Sequence, residues 1–319
     1  SKGFIWISSL QGLARYDGYE FKYFKHDKNN PHSIANSITC YTLEDSKGNL
    51  WFGLISGGIS CYNPLTNSFK NYNTKSILSS SNDPIMALYI DQKDEVWFSI
   101  GYKGLSHLNK ENGTFETWDI VTAERCPNTK PHKVPLHNFL MDIVDRDENN
   151  LWLGTPEGLF SFNKTTKEIT VMRPKLSKDL HHDVYNAKFI FPEGCKVWIG
   201  GWGSSIQCYD TLSKTWADYT FNQANKNYTI YNSMVRKDDD EFWLASPEKG
   251  LATFNTTSCT FTFLQSDSTY NNLPNETNYL VFSDKQKNLY VVYYYDVYFF
   301  KQKPNLFREY KIPTYASIN

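Results

Sequence analysis

Few residues in this sequence stand at spacings that chemistry requires. His181 and His182 are the one adjacent histidine pair, and neither an H-E-x-x-H nor a C-x-x-C spacing accompanies them, so a bound metal is not expected. A G-x-S-x-G nucleophile elbow is also absent. Asp142, Asp145, Asp147 and Glu148 lie close enough in sequence to supply two carboxylates about 5–10 Å apart, as a glycosidase needs. They fall at a strand end and its turn, however, where solvated acids are the ordinary occupants. The cysteines at 40, 61, 126, 195, 208 and 259 are irregularly spaced and read as buried thiols, not as a disulfide framework. Catalytic residues and cofactors are therefore not expected.

The chain does offer side chains suited to binding. Tyr102 in IGYKG and Trp202 in GGWGS interrupt short loops otherwise made of small residues. Their flat faces suit the C–H faces of sugar rings, with neighbouring polar groups orienting hydroxyls. Lys103, Glu157 and Lys249 occupy comparable loops and could meet hydroxyls or a carboxylate, although solvated charge is the plainer reading. A long insertion, 119–137, carries Arg125, Lys130, His132, Lys133 and His137, and could equally cap the fold.

What must position these residues is a repeat. Aligned on one aromatic, the chain reads FIWIS at Trp6, NLWFG at Trp51, EVWFS at Trp97, NLWLG at Trp152, KVWIG at Trp198, EFWLA at Trp243 and NLYVV at Tyr290. Five of the six intervals (45, 46, 55, 46, 45 and 47 residues) agree within two, and the 119–137 insertion accounts for the exception. Each aromatic is followed by a phrase such as GLARYD, GGISCYN or GLFSFN, then by a third segment such as FKYF or FETW. A fourth, such as ITCYTLED or IMALYID, precedes the next aromatic. Short runs of β-branched and aromatic residues broken by Gly, Asn, Asp and Pro are strands, four to a repeat. DSKGN, DQKDE and DKQKN suit hairpin turns with a φ > 0 position.

A four-stranded unit of this size cannot bury both faces alone, and stacking copies around an axis solves that. The expected fold is all-β, a seven-bladed β-propeller of four-stranded antiparallel blades, with residues 1–319 as one domain. Each Trp is then expected to pack between blades. The first blade lacks its inner strand, which makes the chain a fragment of a longer polypeptide. In such a ring His137, Tyr185, Asn186, Tyr231 and Asn278, at the entry to the inner strands, would line the central channel, or else hydrogen-bond loop backbone. Net charge is −1, from 33 basic and 34 acidic residues, which gives no field to attract a polyanion, so nucleic acid is not expected as a partner. The longest apolar stretch, 289–300, includes Asp296 and is too short to span a bilayer.

The repeat resembles the regulator-propeller repeat of hybrid two-component sensors from gut Bacteroidetes, roughly LWIGT, a gap, GLNRYD and a final aromatic strand. The likeness is greatest over residues 5–53 and extends over all seven copies. Departures are Tyr290 for Trp, Asp296 for a glycine, and Ser204 with Ser205 for another. The resemblance implies a periplasmic sensor ectodomain with a second propeller and a β-sandwich in the same chain. It also implies a homodimer, a transmembrane histidine kinase and control of glycan-utilisation genes in response to an oligosaccharide. A scaffold that binds other proteins and a propeller-fold carbohydrate-active enzyme are the competing expectations.

Overall fold

A hairpin of antiparallel strands recurs along the chain because each repeat ends its polar turn with an alternating aromatic run. The computed structural model describes residues 4–9, 12–56, 58–74, 83–122, 124–125, 138, 140–172, 187–201, 205–220, 233–246, 250–263, 279–284, 286–293, 296–300 and 309–312. Among these there is no helix. Contacts divide the chain into two units, 1–173 and 174–319.

The first unit holds four sheets. β1 (Ile5–Ser9), β2 (Gly12–Tyr16) and β3 (Phe21–Phe24) form a three-stranded sheet. β4 (Thr39–Glu44), β5 (Leu50–Leu54), β6 (Ile59–Asn63) and β7 (Ser68–Tyr72) form the second sheet. The third contains β8 (Ile85–Ile90), β9 (Val96–Ile100), β10 (Leu105–Leu108) and β11 (Phe115–Trp118), and the fourth β12 (Asp142–Asp145), β13 (Asn150–Thr155), β14 (Gly158–Asn163) and β15 (Ile169–Met172).

The second unit holds three more four-stranded sheets. They are β16 (Phe189–Glu193) to β19 (Thr215–Thr220) through β17 (Lys196–Gly200) and β18 (Ser205–Asp210); β20 (Ser233–Asp238) to β23 (Thr260–Phe263) through β21 (Glu241–Ser246) and β22 (Gly250–Asn255); and β24 (Tyr279–Ser283) to β27 (Glu309–Ile312) through β25 (Leu289–Tyr293) and β26 (Asp296–Phe300). In every sheet the strands follow chain order and pair antiparallel. Four strands to a repeat, in meander order, is a propeller-like arrangement.

The recurring aromatic is a packing residue. Trp51 lies in one apolar cluster with Ile85, Val96 and Phe98 of the next sheet, and Trp97 in another with Ile143, Leu151 and Phe162. In the second unit Trp198 packs with Phe242, Leu244 and Phe254, and Trp243 with Val281, Leu289 and Val291. Consecutive sheets within a unit therefore share cores through this residue, and each indole removes on the order of 4–6 kcal/mol of apolar surface from water before entropy is counted.

In three repeats an aspartate six positions before the aromatic explains why the turn and the ring go together. Asp45 Oδ2 accepts the Trp51 indole N–H at 2.9 Å while its Oδ1 accepts the backbone N–H of Lys47 and Asn49. Asp91 repeats this with Trp97 (3.1 Å) and with the N–H groups of Lys93 and Glu95. Asp284 does so with Gln286, Asn288 and the Tyr290 hydroxyl (3.4 Å). Tyrosine thus keeps the polar contact where the repeat loses its indole. In two repeats a base stands at the same spacing from the aromatic, and it stacks instead: Arg146 lies 4.8 Å from the Trp152 ring and Lys237 4.8 Å from the Trp243 ring.

Candidate functional site

The turn between β9 and β10 presents Tyr102 and Lys103. Tyr102 is 62% exposed. The turn beneath it is closed by the Lys103 N–H donating to the Ile100 carbonyl at 3.1 Å and the Gly101 N–H donating to the Pro84 carbonyl at 3.0 Å. Gly104 carries φ +80°, and a Cβ there would lie 2.2 Å from the Trp118 carbonyl oxygen. Only glycine permits that approach.

Asn138 ties this turn to the insertion that follows β11. Its carbonyl accepts the Gly104 N–H at 2.6 Å. Its side-chain oxygen accepts the N–H groups of Ile120 (2.8 Å) and Val121 (3.0 Å), and its amide donates to Asp119 at 2.7 Å. Arg125 donates to the carbonyls of Asp119 (2.7 Å) and Ile120 (3.1 Å), so this insertion cation holds the loop's own backbone. Asn138 is buried and was not among the sequence candidates; a lone Asn beyond a long insertion carries no periodic signal. Gly104→Ala is expected to destabilise by at least ~1–3 kcal/mol, through left-handed strain and the clash with Trp118, and to release the Tyr102 turn. Urea titration and protease sensitivity near residue 102 measure both effects.

Glu157 occupies the equivalent turn of the fourth sheet. Its N–H donates to Thr155 Oγ1 at 3.0 Å, and that buried hydroxyl donates to the Gly158 carbonyl at 3.0 Å. The third and fourth sheets are joined nearby by the Leu140 N–H donating to Ser99 Oγ at 3.2 Å. The structure thus places Tyr102, Lys103 and Glu157 on corresponding turns at one end of adjacent sheets. Trp202, Lys249, His137, Tyr185, Asn186, Tyr231 and Asn278 lie outside the described residues.

The carboxylates that could have suggested glycosidase chemistry have structural partners. Asp145 accepts Lys164 at 2.8 Å, Asp147 accepts the Asn149 N–H and the Asn150 amide, and Glu148 pairs with Lys93 at 2.9 Å. The five described cysteines are free thiols; burial is the first cause that pushes Cys208 up to about 11. Among the described residues no group of three His, Cys, Asp or Glu side chains is placed to hold a metal.

No family model matches the chain. Among solved structures it is similar to the extracellular domain of BT3049 from B. thetaiotaomicron, described as a hybrid two component system, with a TM-score of 0.66 and 16% identity over 91% of this chain and 37% of that one. Two structures of the extracellular domain of BT4673 from the same organism, described once as a one component and once as a hybrid two component system, follow. Their TM-scores are 0.54 and 0.52, at 17% and 18% identity, covering 98% and 99% of this chain. The chain has the fold of these extracellular domains. Among curated proteins, Histidine kinase P4 of Formosa agariphila is 23% identical over a 210-residue alignment that covers 52% of this chain and 15% of that protein. The chain spans 37–43% of the solved ectodomains. The Tyr102 turn belongs to the meander itself and not to an added element.

Proposed function

We infer that the chain is the extracytoplasmic sensory region of a two-component system, residues 1–319 forming one seven-bladed propeller in the periplasm. The observation that supports this is the likeness of nearly the whole chain to extracellular domains described as parts of hybrid two component systems. In this reading the fragment has no catalysis of its own and binds an oligosaccharide at the loop end. Tyr102 supplies a stacking face and Lys103 and Glu157 hold hydroxyls; Trp202, Lys249, His137, Tyr185, Asn186, Tyr231 and Asn278 are proposed as further ligand contacts from the sequence alone. A ligand that prefers one arrangement of ectodomain partners or protomers would bias a dimer, and so a histidine kinase controlling glycan-utilisation genes.

Calorimetric titration of the chain with oligosaccharides from complex glycans, with product analysis of the same mixtures, tests this. Heat without new products is the expected result, and Tyr102→Ala should weaken binding roughly fivefold to tenfold, the scale of one aromatic stacking contact. New reducing ends would instead identify an enzyme, and no heat with any fragment would favour a protein-binding scaffold.

A further inference from the structure

At the opposite end of the sheets from Tyr102, a cleft of about 720 Å³ opens between the second and third sheets, within the roughly 300–1,000 Å³ of small-molecule sites. Strand register sets Trp51, Cys61 and Lys70 side by side across β5, β6 and β7 on its wall. Asp94 and Lys110 face them from the third sheet, and Lys47 enters from the turn between β4 and β5. In the fourth sheet the matching row is Trp152, Ser161 and Thr170, and Arg146 lies across it, over the Trp152 ring and 3.1 Å from Ser161 Oγ. The second sheet has Asp45 at that position, bound back into its own turn, so no long side chain is supplied from there to fill the space.

The charges are arranged unequally. Asp45 accepts from Trp51, Asn49 and Lys47, and both oxygens of Asp94 accept from Ser46, through its N–H at 3.0 Å and through its hydroxyl. The cations retain donors. Lys70 gives one N–H bond to the Lys110 carbonyl at 3.0 Å and lies 5.0 Å over Tyr72; Lys110 donates to the Asp94 carbonyl. An ammonium has three N–H groups, so each has bonds left to offer. Asn63, Thr66 and Ser68 add amide and hydroxyl groups to the same walls. The corresponding row of the third sheet is Trp97, His107 and Glu116, and the 570 Å³ cleft beside it also carries Glu95 and Glu111, with Lys110 and Lys167 on its rim. The first cleft therefore has three lysines to two acids and the second two lysines to three, a difference set by the residues of each copy and not by the repeat.

We propose that the cleft between the second and third sheets binds a small polyhydroxylated anion, a sugar acid or a sulfated sugar, whose carboxylate or sulfate sits among Lys47, Lys70 and Lys110. Binding is non-covalent: burial first, and the nearby Asp45 charge second, push the Cys61 thiol up to about 12, which keeps it protonated. Because the cleft and the Tyr102 turn occupy opposite ends of the sheets, either can bind without the other.

Calorimetric titration of the 319-residue chain with glucuronate, glucose 6-sulfate and glucose tests the site. At least one charged sugar should bind, glucose should not, and affinity should fall with added salt. Preference between the two charged sugars identifies the anion. Lys70→Met should weaken binding about tenfold, and Lys47→Gln should do likewise, whereas Glu116→Gln in the neighbouring cleft should leave it unchanged. Lys70 and Lys47 are exposed, and an unaltered circular dichroism spectrum and melting curve confirm that each variant folds. Glucose binding as tightly as the acids, affinity unchanged in both lysine variants, or no binding of either charged sugar at millimolar concentration would each overturn the assignment.

Discussion

Lys164→Met is expected to lower the unfolding free energy by about 3–5 kcal/mol, the cost of removing one partner from a buried ionic group, and to lower Tm by on the order of 10 °C. The Lys164 ammonium bonds Asp91 and Asp145 at 2.8 Å each, with side-chain exposures of 12%, 1% and 8%, and so joins the third and fourth sheets. Asp91 also holds the Trp97 indole and two turn N–H groups, so an uncompensated charge there would disturb both the turn and the core. Burial by itself would raise the Asp91 carboxyl, but Lys164, the Glu95 N–H and the Trp97 N–H outweigh it and hold it below the usual range. Burial by itself would lower Lys164, and the two carboxylates more than reverse that. Because the folded Asp91 value is depressed, its contribution is present above about pH 4 and fades as pH falls through that lower value. Because the folded Lys164 value is raised, its contribution is complete below about pH 10 and fades as pH rises past it. Urea melts of both proteins should therefore differ most, and by a constant amount, between those limits, and converge on acidification. A difference under ~1 kcal/mol at neutral pH would mean that water screens the group.

Trp198→Ala is expected to cost about 3–5 kcal/mol, the range for truncating a large buried aromatic. Trp198 is 1% exposed, its ring lies 5.8 Å from Tyr219 and 5.6 Å from Phe254, and its N–H donates to Glu193 at 2.7 Å. Phe254 belongs to the following sheet, so truncation opens a cavity between two sheets and not within one. Trp198→Phe keeps most of the ring contact and forfeits the bond to Glu193, for about 1–2 kcal/mol. Denaturant titration of the two variants separates packing from the hydrogen bond. Equal losses would show that the polar contact dominates.

The strand count and order were legible because a period near 46 residues and an alternating aromatic pattern are local properties of the chain. So was the packing role of the aromatics: Trp51, Trp97, Trp152, Trp198 and Trp243 are all buried. The carboxylate that binds the ring's N–H or O–H stood in plain view in DSKGN, DQKDE and DKQKN, where its spacing from the aromatic is constant, yet a polar turn residue has too many ordinary uses to be singled out. At the loop end Tyr102 was recognisable as an interruption of small residues. Asn138 was not, because its four bonds reach residues up to 34 positions away in the chain.

Sequence alone determined that this is an all-β chain of repeated antiparallel meanders whose aromatics face neighbouring copies, since strand periodicity and turn chemistry act over a few residues. Tertiary structure decided which charges meet: that Lys164 closes on Asp91 and Asp145, that Asp45 turns into its own hairpin while Asp94 is taken up by Ser46 of the neighbouring sheet's turn, and that Lys47, Lys70 and Lys110 are left around one cleft. The Lys164 and Asp94 pairings join residues of different sheets, and such a pairing is set by the distance between folded strands, a quantity to which the order of residues along one strand gives no access.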